Sequence, residues 1–189
     1  MKNNIKVKNI ITISVLIALS VIFSYVDNVI SQGLFSTIRL AIPSFKLGLA
    51  NIVVLVYIYF YRFREGLIAV VLKSILVALL FSGTVGFMIG FTGTILSFVV
   101  MTILHKALKD DKYLVFISLV GAITHSIGQI IMAFIIYDIQ KIEAWIIYAP
   151  YILVISAITG FLVGIVGTKT VKMLKTNGLI KVDGENELD

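Results

Sequence analysis

His125 and Gln129 stand four residues apart in GAITHSIGQI (121–130), inside an otherwise apolar run from Tyr113 to Tyr137. An imidazole can carry a proton, ligate a metal or hydrogen-bond a ligand. An amide offers two donors and an acceptor. At a spacing of four, both project from one face of a helix. A segment whose only role is to be apolar has no use for either. Asp27, Asn28, Asn51 and Lys73 interrupt other apolar runs, and Lys46 stands at the edge of one.

The residues that are missing narrow the chemistry. The chain has no cysteine, which removes disulfides, thiolate metal sites and cysteine nucleophiles. It contains no P-loop, no HExxH and no GxSxG pattern, so nucleotide, zinc-peptidase and serine-hydrolase chemistry lack their motifs. His105 and His125 fall in different regions of the pattern, so a shared metal is not expected. Building prenyl diphosphates needs clustered carboxylates that hold Mg²⁺ against a diphosphate. The only adjacent acidic pair is Asp110-Asp111, with no third carboxylate at helical spacing. The expectation is a protein that is not an enzyme, beyond a role as an accessory subunit, with no cofactor and no metal.

The elements that must position these residues follow from composition. Of 189 residues, 59% are hydrophobic and 14% charged, and the mean hydropathy is +1.06. A soluble domain carries about 25% charged residues. This chain cannot cover its surface with polar groups in water, so its solvent is the lipid bilayer. The net charge of +6 then speaks of membrane orientation rather than of nucleic acid. Lys2, Lys6 and Lys8 ahead of an apolar run resemble a secretory signal. The run continues to about Val26 with no A-x-A-like site, so it reads as a retained helix.

Crossing the hydrocarbon core takes about 20 mostly apolar residues. Six segments qualify: 9–31, 46–63, 65–82, 84–105, 113–137 and 145–168. YRFRE (61–65) and SGT (82–84) read as tight turns, and SQGLFSTIRLAIPSF (31–45), with Pro43, as a longer connection. The fold class is therefore all-α, an integral membrane bundle of six transmembrane helices over residues 1–168. A polar, frayed cytoplasmic tail covers 169–189. With the N-terminus inside, twelve of the sixteen Lys and Arg fall on the inner side and three, Arg39, Lys46 and Lys141, on the outer side. That bias places both termini in the cytoplasm. Trp145 and Tyr148 then open the sixth segment at the outer interface.

Depth can be counted from these boundaries at about 1.5 Å per residue. His125 lies roughly 18 Å above the inner end of its segment, and Gln129 one turn further out. Asn51 lies about 7 Å below the outer surface. Asp27 and Asn28 come near the outer end of the first segment, and Lys46 begins the second. Polar residues of three helices thus meet at one depth, which implies an outward-facing polar pocket with Asn51, His125, Gln129, Lys46 and Asp27 as ligand-binding candidates. Each residue taken singly has a second reading, as a hydrogen bond across a helix interface. Asp27 and Lys46 read equally well as interfacial charges. Lys73 counts out apart from the cluster, about 12 Å from the inner face. It either snorkels inward or faces the interior as a counter-charge for an anion.

Gly83, Gly86, Gly90 and Gly93, and then Gly160 and Gly164, are spaced for close helix packing. Ser14 and Ala18 form a small-xxx-small pair on the first helix. It fits either a partner helix or an internal neighbour.

FKLGLANIVVL (45–55), FREGLIAVVLKSIL (63–76) and GAITHSIGQ (121–129) together resemble the bacterial Gx transporter family, also called heptaprenyl diphosphate synthase component I, over roughly residues 10–168. Members look like substrate-binding S components of energy-coupling factor vitamin transporters, which are six-helix membrane proteins. Some are linked to flavin-based extracellular electron transfer. The resemblance implies a multi-pass protein of the bacterial cytoplasmic membrane. It would take a small molecule (a vitamin, a flavin or another anionic compound) in an outward-facing pocket, surrounded by membrane lipid and energised by a transmembrane partner with ATPases. S components typically dock through A-x-x-x-A on helix one, where this chain has Ser14 and Ala18. The other class of function is a non-transporting membrane subunit of an extracellular electron transfer system or of a prenyl-diphosphate pathway.

Overall fold

The computed structural model describes residues 2–37, 48–136, 142–178 and 180. Arg39, Lys46 and Lys141, and the side chains of Trp145 and Tyr148, lie outside the described residues. The α-helices are α1 (Lys2–Thr37), α2 (Asn51–Phe60), α3 (Phe63–Val77), α4 (Gly83–Leu108), α5 (Leu114–Ile136) and α6 (Ile142–Thr176). Among the described residues there is no strand. Without water, backbone N–H and C=O groups must satisfy one another within a segment, and the helix does this locally. That requirement outweighs the weak helix propensity of the many valines and isoleucines.

Contacts along the bundle show the chain reversing at each connection they span. Phe63 at the start of α3 packs on Phe98 late in α4, with ring centroids 5.4 Å apart. Phe81, just past α3, meets Tyr25 of α1 at 4.9 Å. Ser97 of α4 donates to the Gly121 carbonyl of α5 at 2.8 Å, and Ser118 of α5 donates to the Gly160 carbonyl of α6 at 3.0 Å. Four described stretches are long and apolar enough to cross a membrane: Asn9–Gly33, Phe63–Leu108, Asp111–Ile136 and Ala149–Thr176. The second of these, 46 residues long, is folded into the α3–α4 hairpin. The molecule is a multi-pass helical membrane protein.

The hairpin turns at the tight turn read from SGT. After α3 the helix widens to a π turn over Ala78–Ser82, and Gly83 then takes φ +60°, a conformation disfavoured for residues with a Cβ.

α2 departs most from the expected elements. A crossing over 46–63 was anticipated, yet the helix starts only at Asn51 and has ten residues, about 15 Å. Gly48, at φ +95°, turns the chain into it. Eight of its ten residues are buried, in keeping with a helix that is apolar all round. Val53 to Tyr57, with Phe98, Met101, Leu114 and Ile117, form the main apolar core. A smaller core joins Ile89, Ile130, Ala133 and Ile152 towards the other end of α4, α5 and α6.

α6 runs on through Lys169 to Thr176, where the sequence reading had a frayed tail. Lys175 explains the extension. Its ammonium donates to the Tyr59 hydroxyl at 2.7 Å and pairs with Asp111 at 3.3 Å. The Tyr59 hydroxyl in turn donates to Asp111 at 3.0 Å. Three elements are tied at that end of the bundle.

Candidate functional site

The polar face of α1 is built by spacing. Ser20, Ser24, Asp27 and Ser31 recur every three or four residues and so form one stripe. All four are buried, while Ile22, Val26, Val29 and Ile30 face outward. Ser24 donates to the Ser20 carbonyl, and Ser31 donates to Asp27 Oδ1 at 3.3 Å. Asp27 Oδ2 accepts from the N–H groups of Gly48 and Leu49, at 2.8 and 3.1 Å. A helix leaves its first N–H groups unpaired, and Ala50, the residue before α2, supplies no side-chain cap. The N–H groups of Asn51, Ile52 and Val53 turn instead to the carbonyls of Gly48, Leu49 and Ala50, and the Asp27 carboxylate takes the two N–H groups just upstream, where the helix dipole favours negative charge.

Asn51, held at that start, faces a small cavity also lined by Ser24 and Asp27 of α1, Lys73 and Ser74 of α3, Gly86, Gly90 and Thr94 of α4, and His125 of α5. Asp27, Asn51, His125 and Lys73 are 1%, 3%, 5% and 7% exposed. Four of the residues singled out from sequence therefore meet around one space. Lys73 belongs with them, although its depth had been counted as separate. The count fixes only the height of a Cα, and a lysine side chain reaches several ångströms further. Asn51 Nδ2 has no hydrogen-bond partner among the described residues. The free volume is about 20 Å³, little more than one water requires. Ala78 and Ser82 of the π turn also line the cavity, so the irregular stretch of the hairpin borders it. Single π turns are frequent at functional sites.

Gln129 is placed differently from the expectation. It is fully buried but does not line the cavity. Its chain packs against Gly93 of α4, where an added Cβ would lie 2.8 Å from Gln129 Cγ and 2.6 Å from the His125 carbonyl oxygen. Neither of its amide atoms has a hydrogen-bond partner among the described residues. The glycine pattern thus divides. Gly93, Gly160 and Gly164 permit close approach, Gly83 makes the reversal, and Gly86 and Gly90 form a wall of the cavity. Ser14 and Ala18 are exposed on α1 among the described residues. Ser14 donates to the Ile10 carbonyl within its own helix.

The sequence reading missed Ser20, Ser24, Ser31, Ser74 and Thr94. The α1 stripe carried a usable signal in its helical spacing. Ser74 and Thr94 carried none, since each simply donates to the carbonyl four residues back, a bond open to any helical Ser or Thr. Among the described residues no three His, Cys, Asp or Glu side chains are grouped to hold a metal ion.

The model of one protein family, described as heptaprenyl diphosphate synthase component I, matches residues 16–170. No curated protein matches the chain. No solved structure matches it either.

Proposed function

Because this chain belongs to the heptaprenyl diphosphate synthase component I family and is a multi-pass helical membrane protein, we propose that it is a binding and transport component that captures a small molecule in the cavity around Asn51. The reading rests on one observation: Asp27, Asn51, Lys73 and His125, from four helices, converge on a single buried space. Asp27 is committed to the backbone ahead of α2. The Asn51 amide, whose Nδ2 has no hydrogen-bond partner among the described residues, is an open donor on this space, and Lys73 and His125 line it beside Asn51. These suit a ligand bearing an anionic or carbonyl oxygen. At about 20 Å³ the cavity admits a vitamin-sized molecule only if its walls part. The α3–α4 hairpin, irregular at Ala78–Gly83, is the wall built to move.

In this reading the chain crosses the bacterial cytoplasmic membrane six times with both termini inside, in accord with the twelve-to-three charge bias and the alternating helix directions. It resembles an energy-coupling factor S component, with no ATPase of its own. An energising membrane subunit would dock on α1 at Ser14 and Ala18.

Native mass spectrometry of the purified protein tests the binding reading. A small molecule should co-purify and be lost in Asn51→Ala and Lys73→Met. A ligand retained equally by both variants would move the site elsewhere.

The family description favours a second reading, a non-catalytic membrane subunit of a prenyl-diphosphate pathway. Here the chain alone should form no longer prenyl chain from farnesyl and isopentenyl diphosphates with Mg²⁺, yet should raise the output of a catalytic partner. Product from the isolated chain, dependent on Asp110 and Asp111, would refute the non-enzyme view.

A further inference from the structure

The opposite end of the bundle holds a larger space. Where α2 gives way to α3, a cavity of about 250 Å³ opens between that turn and the last turns of α4. Its walls are of two kinds. Ile58, Phe63 and Phe98 are apolar. Tyr57, Arg62, His105 and Lys106 bring donors. Among the described residues no carboxylate lines it. Asp110 pairs with Lys112 at 2.9 Å and Asp111 with Lys175, while Glu65 stands in the first turn of α3.

The Tyr57 hydroxyl is the telling group. Tyr57 is 1% exposed, and its hydroxyl has no hydrogen-bond partner among the described residues. A buried tyrosine hydroxyl normally finds one. Nδ1 of His105 is buried and likewise has no hydrogen-bond partner among the described residues. Two cations stand at the mouth: Arg62 immediately before α3, and Lys106, which sits over the Phe63 ring at 5.9 Å. Arg62, the residue before α3, makes no side-chain cap of its own. A guanidinium, an ammonium, a hydroxyl and an imidazole around one space match the several acceptor oxygens and the charge of a phosphate group.

We propose that this cavity is a second binding site and takes a phosphate group, carried either by a membrane lipid or by a small soluble molecule. Phosphate oxygens accept from Arg62, Lys106 and the Tyr57 hydroxyl, and whatever apolar part the ligand has lies on Phe63 and Ile58. The site stands apart from the cavity at Asn51 and does not depend on what binds there.

Delipidated protein in detergent should be titrated separately with phosphatidylglycerol, with the neutral lipid diacylglycerol, with glycerol 3-phosphate and with inorganic phosphate, with adducts read by native mass spectrometry. Binding of phosphatidylglycerol but not diacylglycerol assigns a lipid headgroup. Binding of glycerol 3-phosphate or phosphate at comparable affinity assigns a soluble ligand. In either case Arg62→Gln/Lys106→Gln should weaken binding about tenfold or more, and Tyr57→Phe, which keeps the buried ring, should weaken it measurably. Asn51→Ala should leave it unchanged. No adduct with any phosphate probe overturns the proposal, as does an adduct that the three substitutions leave intact. Arg62 and Lys106 are exposed, so their replacement leaves the packed core alone.

Discussion

Asp27 holds the entry to a helix it does not belong to: its Oδ2 accepts the N–H groups of Gly48 and Leu49, 21 and 22 residues further along the chain. Asn51 reaches the cavity because that turn is fixed. Asp27→Ala should therefore lower stability by about 1.5–3 kcal/mol, the range for a hydrogen bond to a charged group. Ligand affinity should fall with it through misplacement of Asn51. Thermal unfolding in detergent followed by circular dichroism reads the first effect. An unchanged melting temperature would show that the turn at Gly48 stands without its carboxylate.

Gly93 and Gly128 bring α4 and α5 within backbone contact, a Cβ on Gly128 falling 2.8 Å from Gly93 Cα. Alanine at either position must push the helices apart and should cost about 1–3 kcal/mol. Gly33→Ala is the control. Nothing lies within 4 Å of a Cβ there, so it should leave stability unchanged or raise it by a few tenths of a kcal/mol from helix propensity.

Gln129 separates two uses of a buried amide. With both polar atoms unpartnered among the described residues, Gln129→Leu should raise the stability of the ligand-free protein by about 1–3 kcal/mol, the desolvation that an unmatched polar group carries. If ligand binding parts α4 from α5 and exposes the amide, the same variant should lose affinity by about tenfold, or 1.4 kcal/mol. A variant that melts lower would instead mark Gln129 as a cross-helix tie.

Orientation is open to chemical labelling. Gly33→Cys, exposed near the end of α1, should react with an impermeant maleimide in intact cells. Lys109→Cys, in the left-handed turn after α4, should react only once the cells are opened. The reverse pattern would invert the bundle.

Much of this site could be read from the chain by counting turns, because a polar residue inside an apolar run is conspicuous and its height follows from helical rise. Asp27, Asn51 and His125 were placed together that way. Lys73 was not, since height says nothing of which neighbour a helix face meets or how far a long side chain reaches. Gln129 shows the converse. It shares its face with His125 one turn away, yet Gly93 brings α4 so close there that no space is left for a cavity. The half-length α2 was hidden too. Hydropathy sees an apolar segment over 46–63, whereas Gly48 and the remote Asp27 decide where the helix begins.

The buried stripe of Ser20, Ser24, Asp27 and Ser31 bears on how the protein is made. α1 leaves the ribosome before α2 and α3, the segments that cover its polar face. At that moment it is an apolar helix whose carboxylate has Ser31 of its own helix but not yet the N–H groups of Gly48 and Leu49. An aspartate disfavours insertion by about 2.5–3.5 kcal/mol at the centre of a helix, and by less at the depth of Asp27, near the end of the Asn9–Gly33 span. α1 should therefore commit to the bilayer fully only when the turn at Gly48 arrives to engage Asp27. The first two helices would then enter as a pair, and Asp27 would act as a checkpoint in assembly before any ligand is met.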